Sequence, residues 1–502
     1  MGISSKRMND GKITLLELVS AGLVASVLST TALAQANPNN SAQNPYAGSV
    51  QAVAATPGVK ALSLDDAIRL GIENNLALTL AHLNEKSAEA QRLQLANALL
   101  PNISLHGETG LHQLNLRAAG FSTKVLEQFA PALGFPPSAV VSFPYIVKVD
   151  STIGQVNLSQ ALFTWSGWDV WKAAKANERA AYYNTQSSRG LVVLNVGTAY
   201  LQALAASSEV DYAEALLKTD ATLLYQAQEA HKAGTAANLD ELRARVQYQT
   251  QQLSLIRAQN NFTKAKIALN RQIGLPPGQE IQLTDATPYA DLAVLTIEDA
   301  KREAFASRQD YQQLRQQILA ARLERQAVRH ERFPSLSFNG NYAVTGVSGE
   351  IYHGTFGATG TLSVPIFQEA KFRGDRDVVV AQVNELHSQF NDLSHKIEQQ
   401  LRDSLLDLQS ASELVRVSRS NVELATKTLE QTTDRFQAGV DDNLPVVQAQ
   451  STLAQAQDQY VRSVFQFNQA KLGLARNLGV VDTQYKNYIP GGTATQQPQG
   501  GK

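Results

Sequence analysis

Four segments of the chain alternate, with few exceptions, between apolar and polar residues. In the first segment, Ile103, Leu105 and Leu111 take one side of the alternation, and Ser104 and His106 take the other. A period of two predicts β-strands with one apolar and one polar face. The polar positions are mostly uncharged, which suits a barrel with lipid outside and water inside, although an ordinary half-buried sheet alternates in the same way. The four segments span residues 103–112, 154–159, 336–342 and 355–364.

Each pair of predicted strands is followed by a very long helical pattern. Residues 168–232 contain no proline, and neither do residues 370–438. About 65 residues of α-helix reach roughly 95–100 Å, which is too long for the interior of one globular domain. We therefore expect these helices to pack sideways in a coiled-coil-like assembly. The turn and the end of the returning helix fall at Gly234 and Gly274 in the first case, and at Gly439 and Gly479 in the second.

These elements belong to an internal repeat. The segment from Leu62 matches the segment from Leu295 at a shift of 233 residues. The motif LSQALF at Leu158 matches LSVPIF at Leu362 at a shift of 204, and the matches downstream continue at a shift of 205. Consistent shifts over long stretches indicate two copies of one unit. The decrease from 233 to 204 gives the first copy 29 additional residues, in a predicted hairpin loop at about 113–150.

The repeat sets the predicted domain boundaries. We place the first copy at residues 61–280, an inter-repeat linker at 281–294 and the second copy at 295–482. Residues 35–60 and 483–502 are polar and rich in small residues, which predicts a flexible N-terminal arm and a disordered tail.

Residues 1–34 have the features of a secretory signal peptide. Basic residues precede a mostly apolar stretch, and Ala32, Leu33 and Ala34 form a small-x-small cleavage pattern. A membrane anchor is the alternative, and Glu17 within the apolar stretch argues against it. We identify no later apolar run of the roughly 20 residues that a transmembrane helix needs. The mature protein is therefore expected to be periplasmic, exported or inserted as a β-barrel.

Composition excludes several classes of protein. The chain carries 44 basic and 45 acidic residues, so no positive field favours a nucleic-acid partner. It has no cysteine, and both methionines, Met1 and Met8, lie in the leader, which excludes thiolate and thioether sites from the mature chain. The eight histidines are scattered, and no HExxH, GxSxG or glycine-rich phosphate motif is present. We expect no catalytic residue, no cofactor and no metal site, and therefore a protein that is not an enzyme.

The number of strands constrains the assembly. Four strands cannot close a membrane-spanning barrel around water, and open sheet edges are not tolerated in lipid. Several chains must therefore share one barrel. Three chains would supply twelve strands, enough for a water-filled pore.

The repeated order of helix, strand, strand, long helix and helix resembles the TolC-like outer-membrane efflux family over about residues 60–480. The most specific matches are LPNISLHG and FPSLSFNG at the helix-to-strand joins, the two LSxxxF motifs, and the turns at Gly234 and Gly439. The resemblance implies a mixed α/β membrane channel with an internal two-fold repeat. Its members are homotrimers, with a 12-stranded antiparallel β-barrel in outer-membrane lipid, four strands per chain, continued by a long periplasmic α-helical barrel. It also implies docking to a periplasmic adaptor protein and an inner-membrane transporter.

The resemblance places a closable aperture at the periplasmic tips. In the family, the second turn carries an aromatic residue, an arginine and two aspartates that lock this aperture. Aligned on Gly439, the aromatic position is Phe436, but the arginine position holds Asp441 and the aspartate positions hold Pro445 and Gln448. The lock of the family is therefore not reproduced.

Acidic residues at the tips are the candidates for the aperture itself. The acidic position of the first turn is retained as Asp240. Three-fold symmetry would repeat Asp441 and Asp442 as acidic rings that favour cations. Alternatively, both residues only cap the helix that starts near Leu444, where acidic side chains suit the helix dipole. The candidate aperture residues are Asp240, Phe436, Asp441 and Asp442.

The turns are also candidates for adaptor docking. Small residues there would allow close contact between helix tips, and several neighbouring positions repeat in both copies. Alternatively, the glycines serve only as helix C-caps, for which a positive φ is sufficient. The candidate docking residues are Ala233, Gly234, Asn238, Leu239, Leu242, Ala438, Gly439, Asn443 and Leu444.

Aromatic residues concentrate where strands join helices, and all three tryptophans lie within seven residues. Tryptophan prefers the membrane–water interface, which favours a girdle on the periplasmic side, whereas simple packing at the join is the alternative. The candidate girdle residues are Phe163, Trp165, Trp168, Trp171 and Phe367.

Together these features predict the outer-membrane channel of a tripartite efflux or type I secretion system, a passive exit duct with a periplasmic helical domain. The alternative is a secreted coiled-coil structural or adhesion protein. The four alternating strands argue against that alternative.

Overall fold

A computed structural model describes residues 44–50, 57–115, 117–118, 124, 128, 146–285, 292, 295–347 and 351–489. The predicted signal peptide at 1–34 lies outside the described residues. So does most of the predicted hairpin loop at 113–150, apart from strand ends at residues 113–115 and 146–150 and four isolated positions.

Each copy of the repeat forms two shorter helices, two strands and a helical hairpin, preceded by a three-residue strand. The first copy comprises β1 (Lys60–Leu62), α1 (Leu64–Asn74), α2 (Leu76–Asn97), β2 (Asn102–Asn115), β3 (Ile146–Phe163), α3 (Trp165–Lys232) and α4 (Asn238–Ile273). The second comprises β4 (Ile281–Leu283), α5 (Ile297–Ser307), α6 (Gln309–His330), β5 (Ser335–Val347), β6 (His353–Ser363), α7 (Glu369–Gln437) and α8 (Leu444–Leu478), followed by α9 (Val481–Tyr488). The long helices α3 and α7, of 68 and 69 residues, confirm the helices predicted from the absence of proline.

The helical segment that opens each copy is divided into two helices. The divisions fall at Asn75 and Arg308, which are equivalent positions at the shift of 233. Asn75 has extended backbone angles, and its side-chain oxygen accepts a hydrogen bond from Ala77 N–H at 2.9 Å, which caps α2. Arg308 is also extended, and its guanidinium is held by Asp310 at 2.7 Å and Gln400 at 2.8 Å.

The four long strands form one antiparallel sheet in the order β2-β3-β5-β6. Their register aligns the predicted faces across all four strands, so the apolar and polar alternation belongs to one continuous surface on each side. One apolar row contains Leu105, Val156, Tyr342 and Phe356. The adjacent polar row contains Ser104, Asn157, Asn341 and Gly357.

A β-bulge near the end of β3 changes the direction of one aromatic side chain. Ala161 pairs with Ser337 on the polar face, but the next paired residue is Phe163, which lies opposite Leu336 on the apolar face. Without the extra residue, Phe163 would share the face of Ala161. The bulge therefore places Phe163 on the same side of the sheet as the apolar rows.

The long helices pack as hairpins, α3 with α4 and α7 with α8, and α8 also packs against α3. Near the middle of α3, these helices and α1 enclose the main core. Leu472 of α8 approaches α3 closely at Gly197, where a Cβ atom would lie 2.9 Å from the Leu472 side chain. The sheet lies at one end of this core and the hairpin tips lie at the other. Core residues include Leu62, Ile68, Val192, Val196, Leu269, Ile273, Ile397, Leu401, Leu472 and Leu478.

Two of the predicted connecting segments contain regular secondary structure. The predicted arm at 35–60 contains a 3-10 helix, Pro45–Ala47, and its last residue, Lys60, begins β1. The predicted linker at 281–294 contains β4, which pairs in parallel with β1. Parallel pairing with a distant segment supplies the hydrogen-bond partners, a long-range effect that local composition does not indicate.

The predicted tail at 483–502 is also ordered over its first residues. Tyr485 and Lys486 of α9 bind the two carboxylate oxygens of Asp65 at 2.8 Å and 2.6 Å, and Ile489 is buried in the main core. Residues after 489 lie outside the described part of the chain. The apolar residues of α9, separated by helical spacing, anchor this segment despite its polar composition.

The described residues include one helix that is long and apolar enough to cross a membrane, α3. This finding differs from the prediction that no such run follows the leader. The relevant 18-residue stretch has a mean hydropathy of 1.4, and 56% of it is buried within the chain. Because α3 contributes Val192, Val196 and Leu201 to the core, its apolar composition is accounted for by packing.

Candidate functional site

The two hairpin tips have the same backbone structure. Gly234 and Gly439 have φ values of 75° and 71°, in the left-handed region. In each turn, two backbone N–H groups bond back to the last helical turn, Thr235 to Ala230 and Gly234 to His231 in the first tip. Val440 and Gly439 repeat these bonds to Arg435 and Phe436 in the second tip. This is the Schellman motif, which explains the glycines without any role in docking.

Contacts between side chains and backbone tie the two tips together. Asn443 is buried, and its amide Nδ2 donates a hydrogen bond to the backbone oxygen of Asp240 at 3.0 Å. Arg243 Nη1 lies 3.5 Å from Asp240 Oδ1 and 3.7 Å from Asp442 Oδ2, so one guanidinium reaches an acid on each tip. The tie therefore consists of Asp240, Arg243, Asp442 and Asn443.

The two adjacent aspartates of the second tip have different roles. Asp442 Oδ1 accepts a hydrogen bond from Leu444 N–H at 3.1 Å, which caps the start of α8. Asp441 instead pairs with Arg435, with 2.6 Å between Oδ2 and Nε. The hydrogen bond and charge of Arg435 lower the pKa of the Asp441 carboxyl, which therefore stays ionised at neutral pH. The charge of each aspartate is thus opposed by a nearby arginine.

The remaining tip residues are distributed over the surface. Phe436 is half-buried beside the second turn. Leu239, Leu242 and Leu444 expose large apolar side chains. The other exposed docking candidates are Ala233, Gly234, Asn238, Ala438 and Gly439.

Aromatic side chains cluster at the end of β3 and the start of α3. Phe163 and Trp165 meet edge to face with centroids 5.1 Å apart, and Trp168 and Trp171 lie at the same separation. The ammonium groups of Lys172 and Lys175 lie 5.8 Å and 5.7 Å from the rings of Trp168 and Trp171, respectively. Phe367 lies four residues beyond the end of β6 and is exposed. An aromatic surface flanked by cations has the chemistry of a membrane–water boundary.

A His–Asp pair at the same junction was missed by sequence reasoning. His330 ends α6, and its Nδ1 lies 2.5 Å from Oδ2 of the buried Asp169 near the start of α3. His330 also stacks on Phe333, with centroids 5.2 Å apart. The pair joins the two copies where the sheet meets the helices. Residues 161 positions apart carry no local signal of such a contact.

A buried carboxylate lies three turns above the first tip. Asp220 of α3 is 2% exposed, and Gln247 Nε2 of α4 donates a hydrogen bond to its Oδ2 at 3.5 Å. Burial raises the pKa of this carboxyl to about 6, while hydrogen bonding to Gln247 and Gln450 opposes the shift. The equivalent residue in the second copy is Ala425, which is also buried. The acid is therefore specific to the first copy.

Comparison with known proteins gives a family match over both copies of the repeat. Residues 67–275 and 300–480 match the family described as outer membrane efflux protein.

Three curated relatives align over about two thirds of the chain. The identity is 27% to the pyoverdine export outer membrane protein OpmQ of Pseudomonas aeruginosa, over 66% of this chain and 70% of the relative. It is 23% to the outer membrane protein TolC of Escherichia coli, over 67% and 71%. It is 22% to the alkaline protease secretion protein AprF of Pseudomonas aeruginosa, over 66% and 70%.

Solved structures share the fold over most of the chain. The CmeC outer membrane channel of Campylobacter jejuni superposes with a TM-score of 0.68 at 15% identity, over 83% of this chain and 86% of that one. VceC of Vibrio cholerae superposes with a TM-score of 0.67 at 16% identity, over 83% and 96%. The expected strand-and-helix fold of an outer-membrane channel is therefore confirmed.

Proposed function

The chain belongs to the outer membrane efflux protein family, and from this premise we propose that three copies assemble into one passive exit duct across the outer membrane. The protein is an outer-membrane channel component of an efflux or secretion system, with a periplasmic helical domain. Family membership favours this function over a secreted coiled-coil structural or adhesion protein.

The open four-stranded sheet is the observation that carries the proposal. Its two outermost strands, β2 and β6, each pair on one side only within the described chain. One face of the sheet is mostly apolar, so we place the sheet in lipid, where unpaired edges are not tolerated. Copies of the chain, joined edge to edge, satisfy both edges and close a 12-stranded barrel.

Unequal burial of equivalent residues supports the same assembly. Val461 and Leu472 of α8 are 5% and 0% exposed, because α8 packs within its own chain. Their equivalents on α4 at the shift of 205 are Ile256 and Ile267, which are 62% and 44% exposed. A second copy of the chain would cover α4 as the first copy covers α8. The exposed apolar stripe on α4 consists of Leu239, Leu242, Val246, Leu253, Ile256 and Ile267.

The duct supplies a path and performs no chemistry. Its polar face in the barrel carries mostly uncharged side chains, with Glu108 among the exceptions, and lines a wide aqueous pore. Transport energy comes from an inner-membrane transporter, and a periplasmic adaptor protein joins that transporter to the exposed tips. The named relatives differ in cargo, a pyoverdine in one and an alkaline protease in another, which fits a duct whose cargo is selected by the transporter.

The aromatic cluster marks the periplasmic boundary of the membrane. Phe163, Trp165 and Trp168 are exposed beside the lysines of α3, and the bulge places Phe163 on the apolar face. Phe367, beyond the end of β6, is the equivalent of Phe163 at the shift of 204. These residues would contact the lipid headgroup region on the periplasmic side.

Purification and reconstitution test the proposal. The full chain, extracted from outer membranes in detergent, should have the mass of a trimer by light scattering. In planar bilayers it should give discrete conductance steps. A monomer that stays soluble without detergent, or a trimer without conductance, would contradict the proposal.

A further inference from the structure

The seam between neighbouring subunits in the barrel can be derived from the pairing of the two copies within one chain. Inside the chain, the second strand of copy one, β3, pairs with the first strand of copy two, β5. Between chains, the second strand of copy two, β6, meets the first strand of copy one, β2, of the next subunit. The two junctions are therefore equivalent under the internal repeat.

From this equivalence we infer the register of the seam: Thr361 of β6 lies opposite Glu108 of the partner subunit. The template is the observed pair Asn157–Asn341. The shift of 204 carries Asn157 to Thr361, and the shift of 233 carries Asn341 back to Glu108. The inference rests on the proposed trimer and adds the residue pairs that join it.

The inferred register preserves both faces of the sheet. Thr361 and Glu108 each lie on the polar face of their strands. On the apolar face, Leu362 lies opposite Gly107 of the partner subunit, and Val364 lies opposite Leu105 of the partner subunit. A displacement by one residue would place polar side chains in the lipid.

Exposed residues beyond the end of β6 give independent support. Ile366 and Phe367 are 94% and 90% exposed, although both are large and apolar. Their equivalents in copy one, Leu162 and Phe163, lie within β3, where Phe163 pairs with Leu336 of β5. In the inferred seam, Phe367 lies opposite Ile103 of the partner subunit, which is the residue equivalent to Leu336 at the shift of 233. This pairing extends β6 beyond Ser363.

The seam also determines how the strands tilt. Direct cross-strand pairing leads from Ser104 through Asn157 and Asn341 to Gly357. The seam pairs Gly357 with His112 of the partner subunit. His112 of the partner subunit lies eight residues further along β2 than Ser104, where the path began. A barrel whose register advances in this way must have steeply tilted strands.

Disulfide crosslinking tests the register directly, because the chain contains no cysteine. In the double variant Thr361→Cys with Glu108→Cys, the two Cα atoms should lie about 4.5–5.5 Å apart across the seam, within disulfide range. Two matched controls keep Thr361→Cys and combine it with His106→Cys or Gly110→Cys. These positions lie on the same face but are displaced by two residues, at about 7–8 Å.

A disulfide in any variant must join two chains. Within one chain, β2 and β6 are separated by two strands, or about 14 Å. After oxidation and boiling, the Thr361 and Glu108 variant should give covalent dimers and trimers that disappear on reduction. The controls should stay mostly monomeric.

Faster crosslinking of either control would overturn the inferred register. Absence of crosslinking in all three variants would also overturn it, provided that each variant is a trimer by light scattering. Loss of the trimer in the unmodified protein would instead contradict the proposed function, so the two failures are distinguishable.

Discussion

Single side chains at the hairpin tips join the two hairpins of one chain. Arg243 contacts an acid on each tip, and Asn443 bonds to the backbone of Asp240. Neither Arg243 nor its partner Asp442 occupies the position of the family's locking arginine. The tie belongs to one chain, so it stabilises the relative position of neighbouring hairpins and resists their separation.

Replacement of Arg243 by Gln should loosen the closed aperture. The lost ion pairs are partly exposed, and such pairs contribute about 0.2–1 kcal/mol each, so we expect a few-fold increase in the open fraction of channels in planar bilayers. Arg245→Gln is the matched control, because Arg245 pairs with Glu241 at 2.7 Å within its own tip. Equal effects of the two substitutions would refute the tie.

The buried carboxyl of Asp220 should make stability depend on pH. Its pKa is about 6 in the folded protein and near 3.8 when unfolded, so the folded state binds the proton more tightly between these values. Stability is therefore greatest below about pH 4 for this group and falls as the pH rises through 6. The difference corresponds to about 3 kcal/mol at neutral pH.

Asp220→Asn should remove this effect. We expect a higher melting temperature than the unmodified trimer at pH 7.5, and a smaller difference at pH 4.5, measured by differential scanning fluorimetry. Asp211→Asn, an exposed carboxylate on the same helix, should leave the pH profile unchanged. A destabilised Asp220→Asn variant at pH 7.5 would show that the ionised form is favoured.

At the scale of elements, sequence periodicity predicts the long helices and the strand faces well. The predicted starts of α3 and α7 differ from the observed ones by three residues and one residue, because absence of proline and strict alternation are local signals. The divisions at Asn75 and Arg308 were not predicted, since neither involves glycine or proline. Arg308 is held by Gln400, a contact between distant segments.

The bulge in β3 also depends on contacts between distant segments, which local sequence patterns do not reveal. Alternation alone assigns Phe163 to the polar face with Ala161, and only the pairing with β5 shows the added residue. Similarly, the tie at the tips depends on which sides of the two hairpins meet, and the spacing of Arg243 and Asp442 does not encode this.

The exposed stripe on α4 should contribute to trimer stability. Ile256→Gln combined with Ile267→Gln removes two large apolar side chains, each of which contributes about 1.5–3 kcal/mol when fully buried. We expect the double variant to dissociate at a lower temperature than the unmodified trimer, measured on unheated and heated samples by gel electrophoresis in detergent. Ser254→Gln, also exposed on α4 but outside the stripe, is the control. Unchanged dissociation would contradict a role for α4 at the interface.

At the scale of the whole molecule, the internal repeat explains what one chain leaves incomplete. Strand β3 of copy one pairs with β5 of copy two within the chain, whereas pairing of β6 with β2 requires another subunit. A neighbouring subunit would pair with the free edges of β2 and β6 and would also cover the exposed stripe on α4. The sequence reveals the repeat, but only the unequal burial of equivalent residues shows which surfaces one chain leaves exposed.

The length of α3 also gives the molecule a mechanical property. Val196 of α3 is packed in the main core. Lys232, at the tip, lies 36 residues further along the helix, or roughly 55 Å away. A rotation of about 5° around the core would therefore displace the tip by about 5 Å. A small rotation of the hairpins at the main core would therefore produce a larger displacement at their tips.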